Sequence, residues 1–281
     1  RERGGTMPTF DVLEEGPVGN DGGWSWLRAL SLELTNLELN NFAKSRVVNH
    51  PMGWAAWRTV AAVYFFAIFC ASIDEMEQEG NGAWWLIYLT HWTLTVQVVY
   101  LVLAAACTWK YGLRQGELTQ LPWLYAFTWI LQNVLLAGTF LVFLLYWTLV
   151  YTGGAVPFLT TQVHGANFIA MLIDRFFTLQ PVRFAHFYMP VLYAFTYFIW
   201  SIIQLYSGVD NGDYEGEAVY TATDYKAKPS NYVLMLFLVF VGTPVVYWAM
   251  CAWAVLASHL LPSIKSTPIA PSSGPSSARA S

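Results

Sequence analysis

Residues 161–174 read TQVHGANFIAMLID, and they determine how many times this chain crosses a membrane. The stretch is mostly apolar, as a membrane-spanning helix requires, yet it carries an ionisable histidine, His164, and an aspartate, Asp174. Such groups are costly inside a bilayer and need a partner or a task. At 100° per residue, His164, Asn167, Met171 and Asp174 lie on one face of a helix. The pattern indicates a polar stripe that faces the interior of a helical bundle.

The composition of the whole chain favours a membrane protein. Hydrophobic residues make up 56% and charged residues 11% of its 281 residues, whereas soluble domains are about 25% charged. The aromatic content of 17% suits two interfacial belts. The net charge of −4 gives no reason to expect nucleic-acid binding. Three cysteines lie in separate apolar segments without CxxC spacing, so the sequence predicts no disulfide, no metal site and no cofactor.

Six apolar stretches are long enough, or nearly so, for the roughly 20 residues that one crossing needs. They are 54–73, 84–108, 122–150, 161–178, 187–206 and 232–260. When the fourth is included, twelve of the 14 Lys and Arg residues fall on one side of the membrane, which the positive-inside rule makes cytoplasmic. The sequence therefore predicts an all-α integral membrane protein, a bundle of six transmembrane helices with both termini cytoplasmic.

The segments that flank the predicted transmembrane domain, residues 54–260, differ in character. Residues 1–53 form a predicted cytoplasmic segment with an amphipathic helix over 24–42, either lying on the membrane interface or packed under the bundle. Its apolar stripe consists of Leu27, Leu30, Leu34 and Leu37. The tail 261–281, rich in Ser, Pro and Ala, is predicted to be disordered. The outer loop 207–231 is acidic, and we interpret it as solvated because its acids lack the spacing of a calcium loop.

Two polar side chains from different predicted spans come to the same depth. Spans two and four both run inward from the outer face, with Thr90 about 9 Å below the start of span two. His164 lies about one turn inside span four. A neutral histidine can take the proton of a threonine hydroxyl and so make it a nucleophile. The pair is a candidate catalytic pair, and Asn167, Thr161 or Gln97 are candidates to orient the imidazole.

Further polar residues accompany this pair on the same two predicted helices. Thr93 and Gln97 share a face with Thr90, and Thr93 or Asn167 could stabilise an oxyanion. The simpler interpretation is that such residues are interhelical hydrogen-bond partners. The neighbouring His91 fits an interhelical or interfacial contact better than haem ligation.

The aspartate of the stripe lies too far along its helix to act with the histidine. Asp174 follows His164 by ten residues, about 15 Å on a helix. We expect it to pair with Arg175, Arg183 or His186 at the inner boundary.

Four motifs carry a resemblance to a known family. They are YLTHW at 88–92, YW at 146–147, HGANFIAMLID at 164–174 and PVRFAHFYMPVLYAFTYFIWS at 181–201. Over residues 40–260 the chain resembles the rolling stone branch of the membrane superfamily that also contains the androgen-induced and androgen-dependent hydrolases. The resemblance implies a multi-helix bundle. From the hydrolase branch it implies cleavage of fatty acid esters of hydroxy fatty acids by a threonine and a histidine that match Thr90 and His164.

Two hypotheses about function follow. The first is an intramembrane Thr/His lipid esterase whose substrate, a fatty acyl ester, enters from the outer leaflet. The second is a non-enzymatic membrane scaffold or an accessory subunit of a larger membrane protein complex. A transporter is disfavoured because no two spans show matching Gly/Pro breaks. Membrane lipids are the expected surroundings, and an endomembrane or the plasma membrane is the expected location.

Overall fold

The structure is a computed structural model that describes residues 30–48, 50–113, 118, 120–208 and 218–261. Within these residues the chain is helical, with a single isolated antiparallel bridge between Ser45 and Thr178 and no strand. The predicted disordered tail beyond residue 261 lies outside the described residues. So do residues 209–217, which carry most of the acids of the outer loop.

We number the helices of the described chain α1 to α7. They are α1 (Asn36–Asn41), α2 (Pro51–Gln78), α3 (Leu89–Gly112), α4 (Trp123–Val150), α5 (Phe158–Thr161, Gln162–Ala166 and Asn167–Phe177 in succession), α6 (Phe184–Ser207) and α7 (Ser230–Leu260). Short 3-10 turns at Gly82–Ile87 and Thr221–Thr223 lie in the connections. We call the end of the bundle at which α3 begins the outer end, and the opposite end the inner end.

Five helices, α2, α3, α4, α6 and α7, are long and apolar enough to cross a membrane. The remaining long helix, α5, is not among them, because Gln, His, Asn, Asp and Arg residues lower its hydropathy. The all-helical, multi-pass architecture is therefore confirmed. A sixth crossing by α5 and the cytoplasmic position of both termini stay predictions.

Helix α4 lies at the centre of the bundle and packs against α3, α5, α6 and α7. Inside a membrane, packing and hydrogen bonds hold helices together, because lipid tails are as apolar as the side chains. At the inner end, Tyr125 of α4 stacks on Phe42 with ring centroids 4.2 Å apart, and Trp129 meets the same phenylalanine edge-on. The chain before α2 is thus packed against the central helix.

The structure corrects the amphipathic helix predicted over 24–42. Residues 24–29 lie outside the described chain; Leu30 is helical, residues 31–35 are not, and a further helix spans Asn36–Asn41. A capping box of Thr35 and Glu38 starts it, which fixes Thr35 in an extended conformation. Leu37 of the predicted stripe is 72% exposed, whereas Leu39 is buried. The leucine spacing therefore identified neither the length nor the buried face of the helix.

Hydrogen bonds from Arg183, just before α6, and from Tyr188 of α6 explain why residues 31–35 are not helical. The Arg183 guanidinium donates to the carbonyls of Ser31 and Glu33, and the Tyr188 hydroxyl donates to the carbonyl of Leu30. Carbonyls held by α6 are not available to a helix of their own segment. This segment is anchored beneath the bundle, which agrees with the packed alternative.

Candidate functional site

Thr90 lies in the first turn of α3, at the outer end of the bundle. The second predicted span does not begin as a helix at residue 84, because Gly82–Ile87 forms a 3-10 turn and Tyr88 is extended (φ −88°, ψ 132°). The helix proper starts at Leu89. Thr90 is therefore at a helix N-terminus, and it is only 6% exposed.

His164 lies in the middle of an irregular part of α5. The residues Gln162–Ala166 form a π turn, which takes up one more residue than an α turn and often marks functional sites. Two side chains satisfy its backbone: the Trp147 indole donates to the His164 carbonyl (3.2 Å), and the Asn167 side chain accepts from the N–H of Phe168 (2.6 Å). The π turn thus has a fixed geometry in which the imidazole points to α3.

Thr90 and His164 meet, as the count of residues along both helices predicted. The distance from Thr90 Oγ1 to His164 Nδ1 is 3.4 Å, in partly buried surroundings. In the tautomer with Nδ1 unprotonated, the hydroxyl donates and Nδ1 accepts. The contact is longer than the roughly 2.7–3.0 Å of a strong hydrogen bond, and catalytic contacts are often long before substrate binds. The proximity is confirmed, and a catalytic role for the pair stays a prediction.

An aromatic ring, rather than an amide or hydroxyl, positions the imidazole. The Tyr146 ring stacks on His164 with centroids 3.5 Å apart and planes 9° from parallel. The three residues expected to orient it are engaged elsewhere: Asn167 and Thr161 donate to carbonyls of their own helix, and Gln97 donates to the Asn167 carbonyl. The prediction of a polar orienting group was wrong. The YW motif at 146–147 was the sequence signal that could have identified Tyr146 as the residue that positions the imidazole.

The other two predicted supporting residues, Thr93 and His91, have structural contacts. Thr93 donates to the carbonyl of Leu89 (2.9 Å) and lies 3.0 Å from the Tyr193 hydroxyl, which ties α3 to α6. His91 stacks on Trp85 at 4.4 Å, with Nδ1 2.6 Å from the Trp85 carbonyl. His91 therefore joins α3 to the turn before it, in agreement with the packing interpretation.

Tyr220, in the connection between α6 and α7, is a site residue that the sequence did not reveal. Its hydroxyl interacts with the Thr90 side chain and with the backbone of Leu89 and Thr90 at the start of α3. Its ring packs edge-on against Tyr88 with centroids 6.1 Å apart. Burial raises the pKa of Tyr220 to about 12, so the phenol is protonated at physiological pH. The arrangement places a neutral hydrogen-bond donor beside Thr90.

At the inner end, Asp174 pairs with a residue that the sequence analysis did not consider as its partner. Arg58 of α2 lies with Nε 3.2 Å from Asp174 Oδ1, and the Tyr100 hydroxyl donates to Oδ2 at 2.5 Å. Arg58 is 0% and Asp174 3% exposed. The expected pairing with Arg175, Arg183 or His186 was wrong. Helix α2 turns Arg58 inward at the level where α5 ends.

This inner network extends beyond the ion pair. Arg58 also donates to the hydroxyls of Thr108 (3.2 Å) and Thr178 (3.1 Å). Its neighbour Arg175, 2% exposed, donates to the Gln180 carbonyl at 2.6 Å. Charges so deeply buried persist only where hydrogen bonds surround them.

Metal-ligating residues do not cluster in the part of the chain that the structure describes. No three of its His, Cys, Asp and Glu residues are grouped so that they could hold a metal ion.

The helices and their buried polar residues define the class: this is a multi-pass, all-helical membrane protein. The chain is similar to Protein rolling stone of Drosophila melanogaster, with 22% identity over 217 residues that cover 71% of this chain and 74% of that protein. No family model matches the chain, and no solved structure matches it. The predicted relation to rolling stone is supported, and membership of the wider hydrolase superfamily stays a prediction.

Proposed function

We propose that this protein is an intramembrane lipid ester hydrolase with Thr90 as the nucleophile and His164 as the general base. The observation that carries the proposal is the 3.4 Å contact between Thr90 Oγ1 and His164 Nδ1. A threonine hydroxyl needs an adjacent base to react, and a neutral imidazole supplies one. The substrate class, a fatty acyl ester, follows from the resemblance of the two motifs that carry these residues.

The reaction proceeds through an acyl-enzyme. The Thr90 proton passes to His164 Nδ1 while Oγ1 attacks the ester carbonyl carbon, and the carbonyl electron pair moves to oxygen. Collapse of this intermediate expels the alcohol oxygen, which takes the proton from His164, and leaves the acyl group on Thr90. Water then gives a proton to His164 and attacks the acyl carbon, which releases the fatty acid and restores Thr90.

The oxyanion of both intermediates requires hydrogen-bond donors. In the proposed site these are the protonated Tyr220 hydroxyl and the backbone N–H groups of Leu89 and Thr90, which the same hydroxyl contacts. The position of these amides at the first turn of α3 adds the favourable end of the helix dipole. They replace Asn167 and Thr93, whose polar groups are engaged elsewhere.

The proposal includes α5 as a sixth crossing, which places both termini on the cytoplasmic side. The charges of α5 are turned away from lipid, since Asp174 and Arg175 are both buried. A helix that hides its charges in the bundle can cross despite its low hydropathy. With six crossings, Thr90 and His164 lie in the outer half of the membrane, an endomembrane or the plasma membrane.

One observation favours the second candidate function, a non-enzymatic scaffold or accessory subunit. The Tyr220 hydroxyl already interacts with Thr90, the residue that an ester carbonyl would have to reach. A scaffold in which Thr90 and His164 only link α3 to α5 would show the same contact between Tyr220 and Thr90. Comparison of enzymatic turnover separates the two functions.

The test is hydrolysis of a long-chain fatty acid ester of a hydroxy fatty acid by the purified protein in lipid nanodiscs. We expect Thr90→Ala and His164→Ala each to lower kcat by at least about a thousandfold, because both groups act in the same step. Thr95→Ala is the matched control, since Thr95 lies on the same helix and donates only to the His91 carbonyl. Equal turnover by all four proteins would leave the scaffold as the function.

A further inference from the structure

An apolar groove runs along the outside of the bundle between α2, α4 and α5. It has a volume of about 520 Å³. Its apolar lining includes Phe65, Phe143, Trp147, Ile169, Ala170 and Ile173. Among the described residues, no charged side chain lines it. Because these helices face outward here, the groove opens to the hydrocarbon of the membrane rather than to water.

The groove shares its wall with the π turn that carries His164. Gly165 and Trp147 both line the groove. Gly165 follows His164 directly, and the Trp147 indole donates to the His164 carbonyl at 3.2 Å. The groove therefore reaches the π turn that carries the imidazole.

The groove is polar at one end only. At its outer end the Tyr64 hydroxyl donates to Gln162 Oε1 at 2.7 Å, and Thr161 lies next to them. At its inner end lies Ile173, about 16 Å further along α5. A polar end followed by a long apolar channel matches a single acyl chain whose oxygen-bearing end points outward.

We propose that this groove binds the acyl chain of the lipid ester, with the ester end at the π turn beside His164. The chemistry of the bound lipid rests on the proposed function, whereas binding of the chain does not. The occupant is one long acyl chain, so a short-chain ester uses the same site without filling the groove.

Gly165 allows the groove to be blocked from the inside. A Cβ built at Gly165 meets no atom of the described residues within 4 Å, so the site has room for a side chain, and Gly165→Phe adds a large one at the groove. Ala252→Phe is the matched control, because Ala252 is exposed and lines a second apolar groove of about 430 Å³ between α5 and α7. Ile169→Trp, at a half-exposed groove residue, is a second blocking variant in case Gly165→Phe does not fold.

The experiment labels the purified protein in nanodiscs with a photoactivatable long-chain fatty acid and maps the crosslinks by mass spectrometry. We expect crosslinks at the groove residues in wild type and in Thr90→Ala, and at least about tenfold fewer in Gly165→Phe. Ala252→Phe should keep them. Crosslinks that map elsewhere, or that survive both blocking variants, overturn the groove. A further result would overturn the proposal: the wild type is a dimer, and Gly165→Phe is a monomer with unchanged labelling. In that case a second copy of the chain, rather than an acyl chain, covers the groove.

Hydrolysis separates this proposal from the proposed function. We expect Gly165→Phe to raise KM for a long-chain ester by about tenfold, whereas Ala252→Phe keeps the wild-type KM. If no variant hydrolyses the ester but the labelling pattern holds, the acyl groove stands and the esterase falls. If the ester is hydrolysed and neither Gly165→Phe nor Ile169→Trp changes KM, the esterase stands and the acyl groove falls.

Discussion

At the inner end of the bundle, Arg58 and Asp174 pair with each other and with further hydrogen-bond partners, whereas at the outer end Thr90 and His164 share a single long contact. Arg58 has acceptors for all its guanidinium nitrogens, among them both oxygens of Asp174. His164 Nε2 makes no hydrogen bond to any described residue, and Tyr146 holds the ring only by stacking. Groups of both pairs are mostly buried, but only the inner pair is fully satisfied.

This difference teaches how to separate structural from functional polar residues in a membrane bundle. When every donor and acceptor is paired, the groups are held in one arrangement and none is available to bind a substrate. A pair with an unpaired donor or acceptor can move a proton and bind a ligand. Burial alone does not distinguish the two, because Thr90 and Asp174 are both buried.

The largest expected effect concerns the inner pair. Asp174→Ala leaves the Arg58 charge buried without its counterion, and we expect a loss of about 3–5 kcal/mol of stability. The measurement is the free energy of unfolding by denaturant in mixed micelles. The double variant Arg58→Met, Asp174→Leu removes both charges and should recover part of this loss. A double variant no more stable than Asp174→Ala would show that the charge pairing is not the cause.

The next effect concerns the outer pair and its donor. Tyr220→Phe removes the hydroxyl beside Thr90 but keeps the ring on Tyr88, and we expect kcat for the ester to fall by about a hundredfold. Because the pKa of Tyr220 is about 12, the wild-type donor is present at every physiological pH. The control is Tyr193→Phe, whose hydroxyl meets Thr93 instead.

Two results would contradict this role of Tyr220. Faster hydrolysis by Tyr220→Phe would mean that the hydroxyl only obstructs Thr90. An equal loss in Tyr193→Phe and Tyr220→Phe would mean that both tyrosines act only by packing against α3. Unfolding free energies of the two variants, measured alongside, keep a stability change from being taken for a catalytic one.

The smallest expected effect concerns the segment anchored beneath the inner end. Thr35→Ala removes the capping box of α1, and we expect a loss of about 1 kcal/mol in the free energy of unfolding with unchanged ester hydrolysis. Thr196→Ala serves as the control, since its exposed hydroxyl donates only to the Leu192 carbonyl. A loss of activity in Thr35→Ala would reveal coupling between the two ends of the bundle.

The sequence predicted what depends on length and periodicity. Apolar runs located the five long helices. Counting residues along α3 and α5 brought Thr90 to His164. The stripe of α5 also faces inward as predicted, with Asn167, Met171 and Asp174 buried. These features depend on the spacing of residues along a single helix, which the sequence alone defines.

The sequence did not predict contacts that depend on the rotation of whole helices or on the path of a loop. From the sequence, Arg58 is only a basic residue near the start of the first span, because nothing in that span shows which way its side chain points. Tyr220 follows a run of acids and glycines without periodicity, so its return to α3 was not encoded locally. The leucines before residue 35 suggested a helix, but Arg183 and Tyr188 take the carbonyls that a helix would need.

The π turn Gln162–Ala166 has a consequence for comparing this chain with its relatives. A turn that takes up one extra residue changes the phase of the helix, so the residues before and after it do not share a single helical wheel. A related chain that lacks the extra residue would align without a gap up to the histidine. After that point its aspartate would point in another direction. The right alignment of such chains places a one-residue gap inside this turn, and histidines aligned without that gap are equivalent in sequence but not in space.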